Sequence, residues 1–93
     1  MRYKLVLAKS FKKDLKLIEK QKLDLDKLNK AVQILLSGKQ IPSFYKDHSL
    51  KGKLKGMREL HIQPDWILIY RKIEKLLILV LSRTGSHADL LKK

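Results

Sequence analysis

Three histidines, one turn aspartate and one arginine are the side chains of this sequence best suited to move protons beside a phosphate. His61 and Asp65 flank the Pro64-Asp65 corner of the stretch Glu59-Leu60-His61-Ile62-Gln63-Pro64-Asp65-Trp66-Ile67-Leu68-Ile69-Tyr70. His48 falls in a lysine-rich segment, and His87 follows Arg83 after the last apolar run. Each histidine lies beside an expected strand end or in a loop, outside the apolar helix stripes, so a shared site is open to them. Imidazole, with an unperturbed pKa of roughly 6.5, holds either protonation state near neutrality and so serves as acid or base.

Two chemistries fit such a set. Imidazole and carboxylate suit zinc, but no His-x-x-x-His or other short ligand spacing is present, so no metal is expected. Metal-free cleavage of RNA needs a base for the 2′-hydroxyl, an acid for the leaving 5′-oxygen and a cation at the phosphate. Arg83 can meet a phosphate through two parallel hydrogen bonds. Phosphate binding without chemistry uses the same residues, and a turn aspartate beside a surface histidine is the plainest account of His61 and Asp65.

The elements that would position these groups follow from periodicity. Met57 to Ile62 alternates with a period of two, as a strand with two different faces does. Pro64, with a preset φ and no N–H, and Asp65 reverse the chain, and Trp66 to Tyr70 is apolar on both faces, as in an interior strand. Upstream, Tyr3, Leu5 and Leu7 mark a half-buried strand. Phe11, Leu15 and Ile18 recur at helical spacing with Ser10 placed as a cap, and Leu25, Leu28, Val32 and Leu35 form a second stripe opened by Asp24 and closed by Gly38. Two helices with so short a connection are expected to lie antiparallel on one face of the sheet. Residues 39–56 lose all period and read as a long basic loop carrying Lys46, His48, Lys51, Lys53 and Lys55. Lys72 to Lys75 makes a second reversal, Leu76 to Leu81 a further buried strand, and Ser82 to Gly85 an exit from the sheet. Ser86 can then cap a last helical turn bearing His87.

The order predicts one α+β domain over residues 1–93: an N-terminal strand, an antiparallel helix pair on a mainly antiparallel sheet of about four strands, and a short C-terminal helical turn. Ninety-three residues allow a single small core. Lys and Arg number 22 against 9 Asp and Glu, a formal net charge of +13 that draws in polyanions, nucleic acid first. Cysteine is absent, which suits a reducing cytoplasm, and no apolar run approaches the roughly 18 residues of a membrane span. A cytoplasmic protein with no membrane contact is expected.

Three ordered motifs carry a resemblance. Lys46-Asp47-His48-Ser49-Leu50-Lys51-Gly52, Arg58 to Tyr70, and Arg83-Thr84-Gly85-Ser86-His87-Ala88-Asp89-Leu90 resemble the YafQ subgroup of the RelE/ParE toxin superfamily over nearly the whole chain. The resemblance implies a RelE-like fold and a type II toxin: a ribosome-dependent endoribonuclease that cuts mRNA without a small-molecule cofactor and is held inactive by a cognate antitoxin. Carried over by residue, it assigns His48, His61, Asp65 and His87 to catalysis and Arg83 to the phosphate. His48 is then the expected base and His87 the acid, with His61 and Asp65 orienting. Lys46, Lys51, Lys53, Lys55 and Trp66 are the expected contacts to RNA and ribosome. Leu91 departs from the family, which commonly has an aromatic residue there. Rival readings are a ParE-type toxin acting on DNA gyrase and a basic RNA- or ribosome-binding module without catalysis.

Overall fold

The computed structural model describes residues 2–91; Met1, Lys92 and Lys93 of the expected domain lie outside the described residues. Strand β1 (Lys4–Leu7) leads into helices α1 (Lys9–Lys20) and α2 (Leu25–Ser37). After these come β2 (His48–Ser49), β3 (Arg58–Gln63), β4 (Trp66–Ile73), β5 (Ile78–Gly85) and α3 (His87–Leu90). The sheet order is β1-β5-β4-β3-β2, with β1 parallel to β5 and every other pair antiparallel. The α+β order expected from periodicity is the one observed, with a fifth strand that periodicity did not show.

Local chemistry sets the helix ends. The Asp24 carboxylate accepts from the Asp26 amide 3.0 Å away, and Gly38 closes α2 in the left-handed conformation at φ 74°. Ser10 does not cap α1. Ala8 takes that place, and Ser10 lies inside the helix with its hydroxyl donating to the Ser82 carbonyl at 2.7 Å, tying α1 to β5. The α1 and α2 stripes pack largely as expected: Phe11, Ile18, Leu28, Ala31, Val32 and Leu35 meet Leu60, Leu68, Tyr70, Leu79 and Leu81 in one core with Leu15 against its edge, whereas Leu25, the expected start of the second stripe, is exposed.

Three further expectations are corrected downstream of α2. Residues 39–56 are not a structureless loop, because Ser43–Tyr45 and Gly52–Leu54 are single 3₁₀ turns and His48–Ser49 pairs with Arg58 and Glu59. Leu76 and Leu77 stand exposed in the β4–β5 turn, so the last strand begins at Ile78. Ser82 to Gly85 does not leave the sheet but extends β5 along β4. A bulge allows this. Tyr70 opposes Leu81 while Ile69 opposes Arg83, so Ser82 is the extra residue and the alternation inverts across it. Leu81 therefore faces the helices, and Arg83 faces the other way beside Ile69.

Because successive strand residues point to opposite faces, the helix-facing Leu60 and Leu68 leave Glu59, His61, Ile67 and Ile69 on the far face. Leu68 is fully buried between helices and sheet. Leu68→Ala is expected to lower the unfolding free energy by about 2–5 kcal/mol, read from urea denaturation.

Candidate functional site

Register gathers the chemistry on that far face. His48 of β2 opposes Glu59 of β3, Glu59 opposes Ile69 of β4, and Ile69 opposes Arg83 of β5, one row across four strands. In the next row His61 opposes Ile67 and Ile67 opposes Gly85. Helix α3, capped by the Ser86 hydroxyl on the Asp89 amide, then sets His87 over the sheet.

The three imidazoles converge on Glu59, whose side chain is only 2% exposed. His48 Nε2 lies 2.9 Å from Oε1, His61 Nε2 4.0 Å from Oε1, and His87 Nε2 3.3 Å from Oε2. The His61 ring is stacked between the other two, with centroids 6.1 Å from His48 and 6.2 Å from His87. Hydrogen-bond roles constrain the protons. His48 Nδ1 sits 2.8 Å from the Lys46 carbonyl, which only accepts, so Nδ1 carries a hydrogen. Its Nε2 faces a carboxylate oxygen, and two acceptors at 2.9 Å would repel, so a proton lies between them. His48 and Glu59 thus share one hydrogen that either partner can formally own. Glu59 Oε2 and His61 Nδ1 are buried without a hydrogen-bond partner, an unsatisfied pair of the kind that marks working sites.

A polar clamp fixes the arm that carries His48. Arg58 Nε and Nη2 donate to Asp47 Oδ2 at 3.0 and 2.7 Å, and the buried Tyr70 hydroxyl donates to Oδ1. The Asp47 carboxylate raises the Arg58 pKa, and burial followed by Asp47 pushes the Tyr70 phenol far above its usual range. Lys46, just before Asp47, is left-handed at φ 50°, which turns its carbonyl toward His48.

The other expected site residues are placed differently. Arg83 is already engaged: Nε donates to Asp14 Oδ2 at 2.7 Å and Nη2 to Oδ1 at 3.1 Å, and this carboxylate raises the Arg83 pKa. Asp65 stands exposed on the β3–β4 turn, where it lines a depression with Gln21, Leu23, Gln63, Trp66 and Ser86. Among the described ion pairs it makes none with the histidines. Lys46 shares a shallow depression with His61, whereas Lys51, Lys53 and Lys55 are exposed in the β2–β3 connection. Trp66 is corrected as an RNA contact: it is 3% exposed and its Nε1 donates to the Thr84 hydroxyl inside the fold. Leu91 follows α3 and offers no ring for stacking.

Sequence reasoning missed Glu59, the hub of the cluster. Its signal was its place two residues before His61 in an alternating strand, which puts both on one face. Glu59, His61 and His87 also present ligand atoms all within 4.8 Å of one another, a set able to hold a metal ion that linear spacing did not reveal.

Comparison with known proteins shows the family. Residues 3–92 match the family model described as the bacterial toxin of type II toxin-antitoxin system, YafQ. The mRNA interferase toxin YafQ of Escherichia coli K12 is 44% identical over 81 residues, 86% of each chain. The structure resembles the toxin in the E. coli DinJ-YafQ complex, with TM-score 0.86, 38% identity and coverage of 95% of this chain and 97% of that one. It also resembles a metal-bound toxin from Helicobacter pylori, with TM-score 0.88, 41% identity and coverage of 97% and 99%.

The clamp predicts an alkaline signature. The folded chain holds the Tyr70 proton more tightly than the unfolded chain, whose phenol titrates near the ordinary 10.0. That share of stability is complete below about pH 10 and falls away as pH rises beyond it. Tyr70→Phe is expected to cost about 1–2 kcal/mol at pH 7 and to flatten the alkaline loss, both measured by urea denaturation across pH.

Proposed function

The chain belongs to the YafQ family of bacterial type II toxins, part of the RelE-like group, and from that premise we propose that it is an mRNA interferase working on the ribosome. The observation that carries the chemistry is the convergence of three imidazoles on one buried carboxylate, with Arg83 in the same strand row and under a field of +13. No redox or carbon chemistry is suggested by such a set; proton transfer at a phosphodiester is.

The proposed step removes the proton of the 2′-hydroxyl, lets that oxygen attack phosphorus and protonates the departing 5′-oxygen, leaving a 2′,3′-cyclic phosphate and a 5′-hydroxyl. The proton inventory favours roles opposite to those expected from sequence. His48 has one hydrogen directed at Lys46 and shares a second with Glu59, which suits the acid. His87 is half exposed and, among the described hydrogen bonds, its Nδ1 has none, which suits the base. Glu59 would offset the charge that each imidazole gains, and His61, wedged between the rings, would hold their spacing. Arg83 would exchange Asp14 for the phosphate, presenting the same two donors. Asp65 at the turn is retained as an orienting residue once RNA is bound, with lysines 46, 51, 53 and 55 on the surrounding phosphates.

A cognate antitoxin is the expected partner, since the similar E. coli toxin is known in complex with DinJ. A gyrase-directed, ParE-type action has less support, because the similar curated protein is an mRNA interferase and the histidine cluster would then have no task. Among the described residues no helix is long and apolar enough to cross a membrane, and a cytoplasmic site of action fits a ribosomal target.

Cleavage in a translating extract, with mapped mRNA ends, tests the reading. Glu59→Gln and His87→Ala are each expected to lower the cleavage rate by about 100-fold or more while still folding. Wild-type rates in either would defeat it. The second reading, a cation on Glu59, His61 and His87, is favoured by their spacing and by the metal-bound H. pylori relative. A cation there would take the carboxylate and imidazole nitrogens that the proton route needs. Chelator is therefore expected to leave cleavage unchanged and added copper or zinc to inhibit it; cleavage abolished by chelator and restored by metal would reverse the assignment.

A further inference from the structure

We propose that Phe44 is the platform on which a base of the bound RNA stacks, an inference that rests on the nuclease reading above. The chain has six Phe, Tyr and Trp residues. Five of them, Tyr3, Phe11, Tyr45, Trp66 and Tyr70, are buried in the core, and Phe44 alone is open, at 71% exposure. A single exposed apolar side chain is ordinary on a protein surface, so exposure by itself assigns nothing. Position and support distinguish this one.

Phe44 sits in the middle of the 3₁₀ turn Ser43–Tyr45, entered from Pro42 and closed by the Tyr45 amide on the Pro42 carbonyl at 3.1 Å and the Lys46 amide on the Ser43 carbonyl at 3.0 Å. Its neighbour Tyr45 is a core residue, so the turn is bolted to the interior rather than waving in solvent. The Tyr45 ring backs the Phe44 ring at 4.4 Å between centroids and 34° of tilt, leaving the rest of the ring open to water. Phe44 stands between two depressions, one toward α2 with Asp24, Lys27 and Lys30, and one lined with Lys46, His61, Ile62, Gln63 and Pro64, of which only the second reaches the histidine cluster. An aromatic face, a cation and an imidazole of the histidine cluster therefore border one shallow hollow.

Such a hollow suits a nucleotide unit of single-stranded RNA: the base against the ring, the phosphate toward Lys46 and the sugar toward His61. Base–aromatic stacking tolerates any base, because every base has a π face, so the platform would add grip and orientation more than sequence choice.

The test uses the full chain and a short, 2′-O-methylated single-stranded RNA carrying 2-aminopurine at each position in turn, whose fluorescence is quenched by stacking. Wild-type and Phe44→Tyr proteins are expected to quench it, and Phe44→Ala to bind about ten- to a hundredfold more weakly with the quenching lost. Thermal melts of the variants, expected to be unchanged for so exposed a side chain, exclude misfolding. Equal quenching and affinity in wild type and Phe44→Ala would overturn the proposal, as would no quenching by wild type. A Phe44→Ala defect confined to antitoxin binding would overturn it in favour of a protein contact. Cleavage of mRNA by the same preparations separates the two readings. Phe44-dependent quenching without any wild-type cleavage keeps the platform and removes the nuclease, and wild-type cleavage without such quenching does the reverse.

Discussion

The arrangement depends on one buried negative charge. Glu59 projects from near the start of β3 onto a floor formed with Ile67 and Ile69, nearly out of reach of water. A carboxylate so placed is costly unless partners supply hydrogens or positive charge. Three imidazoles do so from three separate segments, and each is brought there by different means: His48 by strand pairing, His61 by alternation on the same strand as Glu59, and His87 by a short capped helix. Solvation that water would have given the carboxylate is thereby transferred to the three imidazoles. The exchange is incomplete, since Glu59 Oε2 and His61 Nδ1 stay without a hydrogen-bond partner.

Around the hub lie two ion pairs with different characters. Asp47 binds Arg58 and the buried Tyr70 together, so the first pair links the edge strand to the core and holds the His48 arm. Asp14 binds Arg83 and also accepts from the Thr84 amide at 3.1 Å, fastening α1 along the edge of β5 that β1 leaves uncovered. The first is anchored in the interior and resists change. Both guanidiniums are similarly exposed, 41% for Arg58 and 45% for Arg83, but only the first carboxylate is also held by a buried phenol, so the second pair is the one a competing anion opens more readily. The fold thus separates a part that must stay still from a part able to exchange partners.

Much of this was legible in the residue order, and what was not has a physical reason. The helix stripes, the Asp24 cap, the Gly38 stop and the Pro64-Asp65 reversal are local signals, and local hydrogen bonding and φ preferences suffice to read them. The histidines stood out by type. Glu59 did not, because its importance comes from which residues lie opposite it, and strand register between distant segments is not written in any single segment. The two-residue β2 is too short to show a period. The β5 bulge hid the course of Ser82 to Gly85, since one extra residue makes an alternating pattern look broken. Trp66 differs: periodicity already set it in an interior strand, its RNA role came from the resemblance alone, and its indole N–H is satisfied inside by Thr84.

The way His48 and His87 are held has a consequence for how the molecule breathes. Only two residue pairs join β2 to its neighbour, and α3 is a single turn, whereas β4 and β5 are paired over nearly their full length. Local opening should therefore begin at these two arms and leave the central hairpin intact, exposing Glu59 to water while the helical core keeps its amide protection. Competence of the centre and global folding are then separate equilibria, and a solvent or temperature change can silence the first well before the second gives way.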